Sequence, residues 1–484
     1  MSSETLVRER KMALDFVEEG QPLEEGQEAE RVNGIIPKEI NSKMLYRDVM
    51  YIALPSMIEL TLTQLTSMAD MMMVGQLGPW AISSVGLTTQ PKFLLMIMAM
   101  SLNVGATAMV ARSKGAGQQE RANLFMRQAL LISFFVGAIM SILGFIFSED
   151  MIRFMGATED NVLQAGTAYL QIQMAGFMFM VITTTITAVL RGVGDSRTAM
   201  IYNMTANVIN VILNYALIYG NWGLPKMGVA GASLATIIGQ FAAFLLAMYA
   251  ICSGNKYLHL CFSDGFKPDR EAVSSIAKIG IPAMVEQMVM RTGMILFSKI
   301  VATLGTVSFA THQICMNIQA MSFMIGQAYQ ISATSLVGQS LGKIRSDMAQ
   351  LYANCTRRIG MAVSLVLAVV FLLFGKEIVS LYSDDITIIA QGGVIMFFMA
   401  FILPFQSSQF ILTGALRGAG DTRSTAIISL LTILILRPTI AYVCINYFGF
   451  GLWGAWIALA CDQLVRSGLV FMRFSSGRWK KIKA

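Results

Sequence analysis

From Met50 to Leu77 the chain is largely apolar, with both of its carboxylates on one line. Glu59, Thr63, Thr66 and Asp70 stand at i, i+4, i+7 and i+11, which puts them on one face of a helix while Leu, Met and Ala cover the rest. At about 1.5 Å per residue the stretch makes about 42 Å of helix, enough to cross the hydrocarbon core of a bilayer. A carboxylate near the bilayer centre costs at least about 2.5 kcal/mol, so this face cannot look at lipid. It has to line a water-filled cavity or meet partners inside a bundle.

Long apolar runs recur about twelve times after Met44, near 48 to 75, 82 to 111, 122 to 147, 161 to 190, 197 to 219, 228 to 252, 275 to 303, 307 to 338, 351 to 374, 387 to 415, 424 to 446 and 452 to 472. Most reach the roughly 20 residues that a spanning helix needs. They predict an all-α membrane protein with twelve transmembrane helices. In the fifth run Asn203, Asn207, Asn210 and Asn214 follow one another at spacings of 4, 3 and 4, a second polar stripe to set against the first. Such amides can also serve as hydrogen-bonding glue between helices.

The pattern is duplicated. LRGVGDSRTA at 190 to 199 returns as LRGAGDTRST at 416 to 425, and Pro55-Ser-Met-Ile-Glu59 returns as Pro282-Ala-Met-Val-Glu286, at offsets of 226 and 227. Thr107, Val110, Ser113 and Gly115 match Thr334, Val337, Ser340 and Gly342. Six spans repeated in the same orientation predict two pseudo-symmetric six-helix lobes, related by an axis along the membrane normal, with a site near the midplane and alternating access by rocking. The expected organisation is a polar extension at 1–44, a first lobe at 45–253, a linker at 254–274, a second lobe at 275–474 and a basic tail at 475–484. Pro55 and Pro282 are candidate hinges, because each frees the carbonyl four residues back.

Composition agrees with the pattern: 55% hydrophobic residues and 13% charged, far from a soluble globule with about 25% charged. The net charge of +7 is topological. Alternate linkers hold twenty Lys and Arg on one side and three, Arg153, Lys226 and Lys376, on the other. The positive-inside rule then puts the basic side and both termini in the cytoplasm. No nucleic-acid partner is expected. The six scattered cysteines show no metal-ligand or disulfide spacing, and no HExxH, Ser/Lys or paired-aspartate pattern suggests an enzyme. Neither cofactor nor resident metal is expected.

In its motifs the chain resembles the multidrug and toxic compound extrusion (MATE) family, bacterial type, over nearly all of residues 45 to 474. The resemblance rests on Pro55 with Asp70 and the following Val74-Gly75, the twin LRGxGD segments, GVAGASLAT at 228 to 236 and the second-lobe run IPAMVEQ…GTVSFATHQI. It implies a monomeric inner (plasma) membrane antiporter that expels amphipathic, often cationic, drugs or metabolites in exchange for H+ or Na+. A flippase of lipid-linked saccharide from the same superfamily is the alternative, and would require a strongly cationic central cavity.

Residue by residue, Asp70 resembles the family's ion-coupling acid in the first helix. Asn214 stands where one subgroup has a cavity Asp; it cannot release a proton, but its carbonyl can help hold a transient Na+ with Asp70. Met290 replaces a glutamate of the norfloxacin-efflux subgroup, and Gln406 aligns with an acid of its tenth helix. Cation coupling is therefore expected at Glu59, Asp70, Asn210 and Asn214, with Thr63, Thr66, Asn203, Asn207, Glu286, Met290, Arg291 and Gln406 lining the substrate cavity. As repeat mates, Glu59 and Glu286 could instead cap the break at each proline. Arg291 is expected to meet Glu286 or Asp70, Lys299 and Arg437 to snorkel, Asp462 and Arg466 to neutralise each other, and His312 to be structural. The LRGxGD segments read as tight turns, with Arg for topology and Asp capping the next helix.

Overall fold

The computed structural model describes residues 42–157, 159–261, 265 and 267–482, and shows helices and no strand among them. The expected polar extension lies outside the described residues up to position 41. The first lobe is built from α1 (Ser42–Gly75), α2 (Pro79–Gly115), α3 (Gln119–Ile146), a broken α4 (Asp160–Ala175 and Phe177–Gly192), α5 (Ser196–Tyr219) and α6 (Gly228–Cys252). The second is built from α7 (Arg270–Ala302), α8 (Thr306–Gly342), α9 (Ser346–Ser380), α10 (Ile386–Gly418), α11 (Thr422–Asn446) and α12 (Gly451–Ser475).

Among the described residues, eight helices are long and apolar enough to cross a membrane, nine if the two pieces of α4 count as one span bent by 52°. Helices α1, α7 and α8, 34, 33 and 37 residues long, fall outside that set, so the expected twelve is not reached on length and apolarity alone. Their polar and charged side chains dilute their apolarity, as expected of helices that face a polar interior. Helices α1 and α7 run without interruption through Pro55 and Pro282. Helix α11 is π-helical over Leu430–Leu436, immediately before Arg437.

Each lobe has its own apolar centre, around Phe125, Met126 and Ile186 in the first and around Phe371, Met396 and Trp456 in the second. Lipid tails are as apolar as these side chains, so helix association depends on close packing and hydrogen bonds more than on a hydrophobic drive. Small residues supply the close packing where the lobes meet. A Cβ on Gly115 would lie 1.9 Å from the Gln339 carbonyl oxygen, and one on Gly342 would lie 2.0 Å from that of Arg112. Gly115 and Gly342 are repeat mates, and so are Arg112 and Gln339. The α2–α8 crossing is therefore reciprocal, each helix offering its glycine to the other's carbonyl.

The same reciprocity extends along the lobe interface. A Cβ on Gly105 would lie 2.3 Å from the Ile276 carbonyl oxygen, while its mate Ser332 donates to the Val49 carbonyl, the mate of Ile276, at 3.1 Å. Arg112 donates to the Ala419 carbonyl and Gln339 to the Gly192 carbonyl, both at 2.9 Å. These paired contacts realise the pseudo-twofold relation implied by the repeat. Among the described residues, the hydrogen bonds between lobes gather at the basic end. Leu45–Ala484 accordingly forms one unit.

Replacing Gly342 with Ala should destabilise the purified protein by about 1–3 kcal/mol, because the added methyl meets backbone that cannot rotate away. Gly468→Ala, where a Cβ meets nothing within 4 Å, is the control. Thermal unfolding in detergent should show a lower midpoint for the first variant and an equal or slightly higher one for the second.

Candidate functional site

The polar stripes of α1 and α5 face each other in the structure. Asn203 Nδ2 donates to Glu59 Oε1 at 2.7 Å, Asn207 Nδ2 to Thr63 Oγ1 at 3.0 Å, and Asn214 Nδ2 to Asp70 Oδ1. Each pair is 144 residues apart, so the two helices run parallel and in register. Each rung needs a donor and an acceptor at the same height, which the matched i, i+4, i+7, i+11 spacings provide.

The ladder ends in different chemistry at its two ends. Toward the basic end Glu59 is buried and pairs with Arg191 of the first LRGxGD segment at 2.8 Å. Its repeat mate Glu286 is likewise buried and pairs with Arg417 of the second segment at 3.1 Å. Thr425 and Ser429 also donate to Glu286, at 2.9 and 3.4 Å. These arginines, read from the sequence as topological charges, are the partners of the in-span glutamates. Glu286 accepts on both oxygens, whereas Glu59 takes Arg191 and Asn203 on Oε1 and leaves its buried Oε2 unpartnered among the described residues; breaking either pair is strongly destabilising.

At the other end Asp70 is answered by amides. Turning the Asn210 amide so that both of its ends are satisfied makes its nitrogen donate to Asp70 Oδ1 and Oδ2 at 2.9 and 3.1 Å, while its oxygen accepts from Thr236. Asn214 is fully buried, and its own oxygen has no donor among the described residues. A cavity of about 160 Å³ lies beside Asp70 and is lined by Thr63, Thr66, Asn207, Asn210, Gln240 and, from α2, Lys92. Lys92 is half-buried, and its ammonium donates to Gln173 Oε1 at 2.8 Å. A larger cleft of about 430 Å³ between the start of α2 and the segment preceding α4 has Glu159 as its one ionisable lining residue among those described.

Of the candidate residues, the cavity collects Thr63, Thr66, Asp70, Asn207 and Asn210, with Asn214 joined through its bond to Asp70. Glu59 and Asn203 sit toward the basic end in the ion-paired part of the ladder. Glu286, Met290, Arg291 and Gln406 belong to the second lobe, where Gln406 is buried with its Nε2 unpartnered among the described residues. Among the described residues the first rung alone has a counterpart there, Ser429 to Glu286, the mates of Asn203 and Glu59. The repeat mate of Asp70 is Phe297, that of Lys92 is Gln319, and those of Asn207, Asn210 and Asn214 are Ile433, Leu436 and Ile440.

Several expectations are corrected. Arg291 meets neither Glu286 nor Asp70; its guanidinium lies over the Phe93 ring of the opposite lobe, 4.2 Å from the centroid, while Glu286 is occupied by Arg417. Arg437 does not snorkel. It is buried against Asp462, which Arg466 also reaches at 3.2 Å, so one carboxylate serves two guanidinium groups. Asp195 caps α5 through the Thr198 amide, but Asp421 accepts from Arg473 at 2.7 Å instead of capping α11. Glu59 and Glu286 bind arginines rather than closing the breaks at the prolines. His312 is enclosed by Phe297 and Trp456, ring centroids 5.5 and 5.7 Å away.

Two parallel repeats sharing a reciprocal interface, with a carboxylate–amide site inside one of them, define a transporter of the helical membrane class. The match to the MatE family covers residues 55–216 and 282–443, one segment per lobe, beginning at Pro55 and Pro282. The chain belongs to the MatE family. It is 29% identical over 447 residues to the probable multidrug resistance protein NorM of Thermotoga maritima, covering 92% of this chain and 95% of that one. It is 28% identical over 446 residues to the multidrug resistance protein PmpM of Pseudomonas aeruginosa, with 88% and 92% covered. A solved structure described as the outward-facing conformation of a multidrug resistance MATE family transporter superposes with a TM-score of 0.83 at 22% identity, covering 91% of this chain and all of that one.

Glu59→Gln and Arg191→Gln should each destabilise the protein by about 3 kcal/mol, since each leaves the other group buried without its counter-charge. The double variant should recover much of the loss. A double-mutant cycle on unfolding in detergent measures the coupling, and strictly additive effects would contradict a buried pair.

Proposed function

We propose that this chain is a secondary antiporter that exports amphipathic drugs or metabolites in exchange for a cation, H+ or Na+, taken up at Asp70. The observation that carries the reading is the contrast among in-span carboxylates. Glu59, Glu286 and Asp462 are each held by arginine, whereas Asp70 is held by amides beside a cavity. An arginine-locked carboxylate has little freedom to change its charge. Amides can serve either state: as donors to the ionised carboxylate, or, through the unpartnered oxygen of Asn214, as acceptor for an O–H.

In the cycle we infer, an ionised Asp70 accompanies substrate binding, and cation uptake from outside removes the charge that held the substrate. Asn210 and Asn214 keep the carboxylate in place through the exchange. Thr63, Thr66 and Asn207 line the path, and Pro55 gives α1 a weak point for moving with the site. The second lobe supplies wall without a coupling carboxylate, since Phe297 stands at the position of Asp70. Similarity to the multidrug resistance proteins NorM and PmpM supports efflux as the direction. The basic end, where the lobes are joined, is read as cytoplasmic with both termini there. On that reading the described state is closed to the inside.

Asp70→Asn should reduce gradient-driven efflux of a fluorescent cationic dye from reconstituted vesicles by tenfold or more, whichever of an imposed pH or sodium gradient drives the wild type. Folding should be unchanged, since Asn fits the same amide cradle. Full efflux by the variant would overturn the assignment.

A further inference from the structure

The cavity beside Asp70 carries a cation of its own. Lys92, the residue after Pro91 in α2, reaches the same small space as Asp70, and its hydrogen bond goes to Gln173 rather than to that carboxylate. The ammonium therefore keeps further N–H donors in hand, three being available in all. Thr63, Thr66 and Asn207 line the same space. A further titratable group acting with Asp70 among the described residues is the phenol of Tyr169 on α4. At about 160 Å³ the cavity has room for about five waters, or for the charged end of a ligand.

With Asp70 ionised and Lys92 protonated the lining has no net charge but a separated pair of opposite charges. A monocation in this space gains from Asp70 and loses to Lys92. A ligand bearing an ammonium and a carboxylate gains at both ends, with the carboxylate taken by Lys92 and the ammonium by Asp70. At separations of several ångströms and an effective dielectric constant of about 20, the second pairing changes affinity by roughly tenfold or more. Charge complementarity of this kind discriminates through the penalty imposed on the wrong partner as much as through attraction to the right one.

We propose that Lys92 makes the first-lobe cavity selective for zwitterionic substrates, or for the zwitterionic end of larger ones, over monocations of the same shape. The proposal rests on the reading of Asp70 as the coupling group. Cation uptake at Asp70 then removes the partner of the ligand's ammonium while Lys92 still holds its carboxylate, so one of the two charge pairings is lost and release is favoured.

The test compares a rhodamine carrying a free carboxylate with its methyl ester, one scaffold in zwitterionic and monocationic form. Binding is followed by fluorescence anisotropy on the purified full-length protein, and transport in reconstituted vesicles. Wild type should bind the zwitterion about tenfold more tightly than the ester. Lys92→Gln should weaken zwitterion binding about tenfold, tighten ester binding and reverse the order, whereas Lys92→Arg should retain the wild-type order. Equal affinity of wild type for the two dyes, failure to bind the zwitterion, or an unchanged ratio in Lys92→Gln would overturn the proposal. Asp70→Asn separates the two readings: transport of both dyes surviving in that variant removes the antiport reading, while its loss alongside an unchanged Lys92→Gln ratio removes this one alone.

Discussion

A carboxylate inside a bilayer must be answered by donors, and the chain answers its in-span acids in two ways. Glu59 and Glu286 are bound by arginines that arrive from the LRGxGD turns. Asp70 is bound by side-chain amides. The first answer is rigid: it ties α1 to α4 and α7 to α10 near the basic end, where the lobes also touch. The second leaves a group that can change its charge without breaking the bundle. The second depends on α1 and α5 being parallel and in register, since a slip of one residue would carry every rung to another face.

Much of this was legible in the residues. The i, i+4, i+7, i+11 stripe and the asparagine stripe encode the ladder directly, because helical periodicity fixes which side chains share a face. The repeat offset encodes the reciprocal glycine contacts in the same way. What was not legible required knowing which helix lies beside which. Arg191 and Arg417 sit next to turns and look like topological charges; nothing local reveals that they fold back onto carboxylates more than 130 residues away. Lys92 was missed for a different reason. It is one charge in a long run, and although Thr88 and Thr89 stand at i−4 and i−3, no second ionisable residue marks that face. The signal available was its depth alone, since a lysine well inside a span has to point into protein or water.

Arg291 shows how such reasoning can go astray. Coulomb's law calls for a carboxylate, yet the guanidinium has settled over Phe93, where the negative face of the ring gives part of the same stabilisation. An aromatic ring serves here because the acids at similar depth are already occupied. The expected pairing was chemically sound but took no account of competition from Arg417.

The α2–α8 crossing carries a further meaning. A contact in which each surface presents the same glycine to the same carbonyl is self-complementary, the arrangement that two copies of one chain adopt about a dyad. Either half thus holds in its own sequence the shape needed to recognise a second half, and the segment joining them contributes nearness rather than fit. With that recognition set by backbone and glycine, the side chains deeper in each half were free to diverge. One half kept an acid where the other has phenylalanine, as in a symmetric pair whose members no longer need to do the same work.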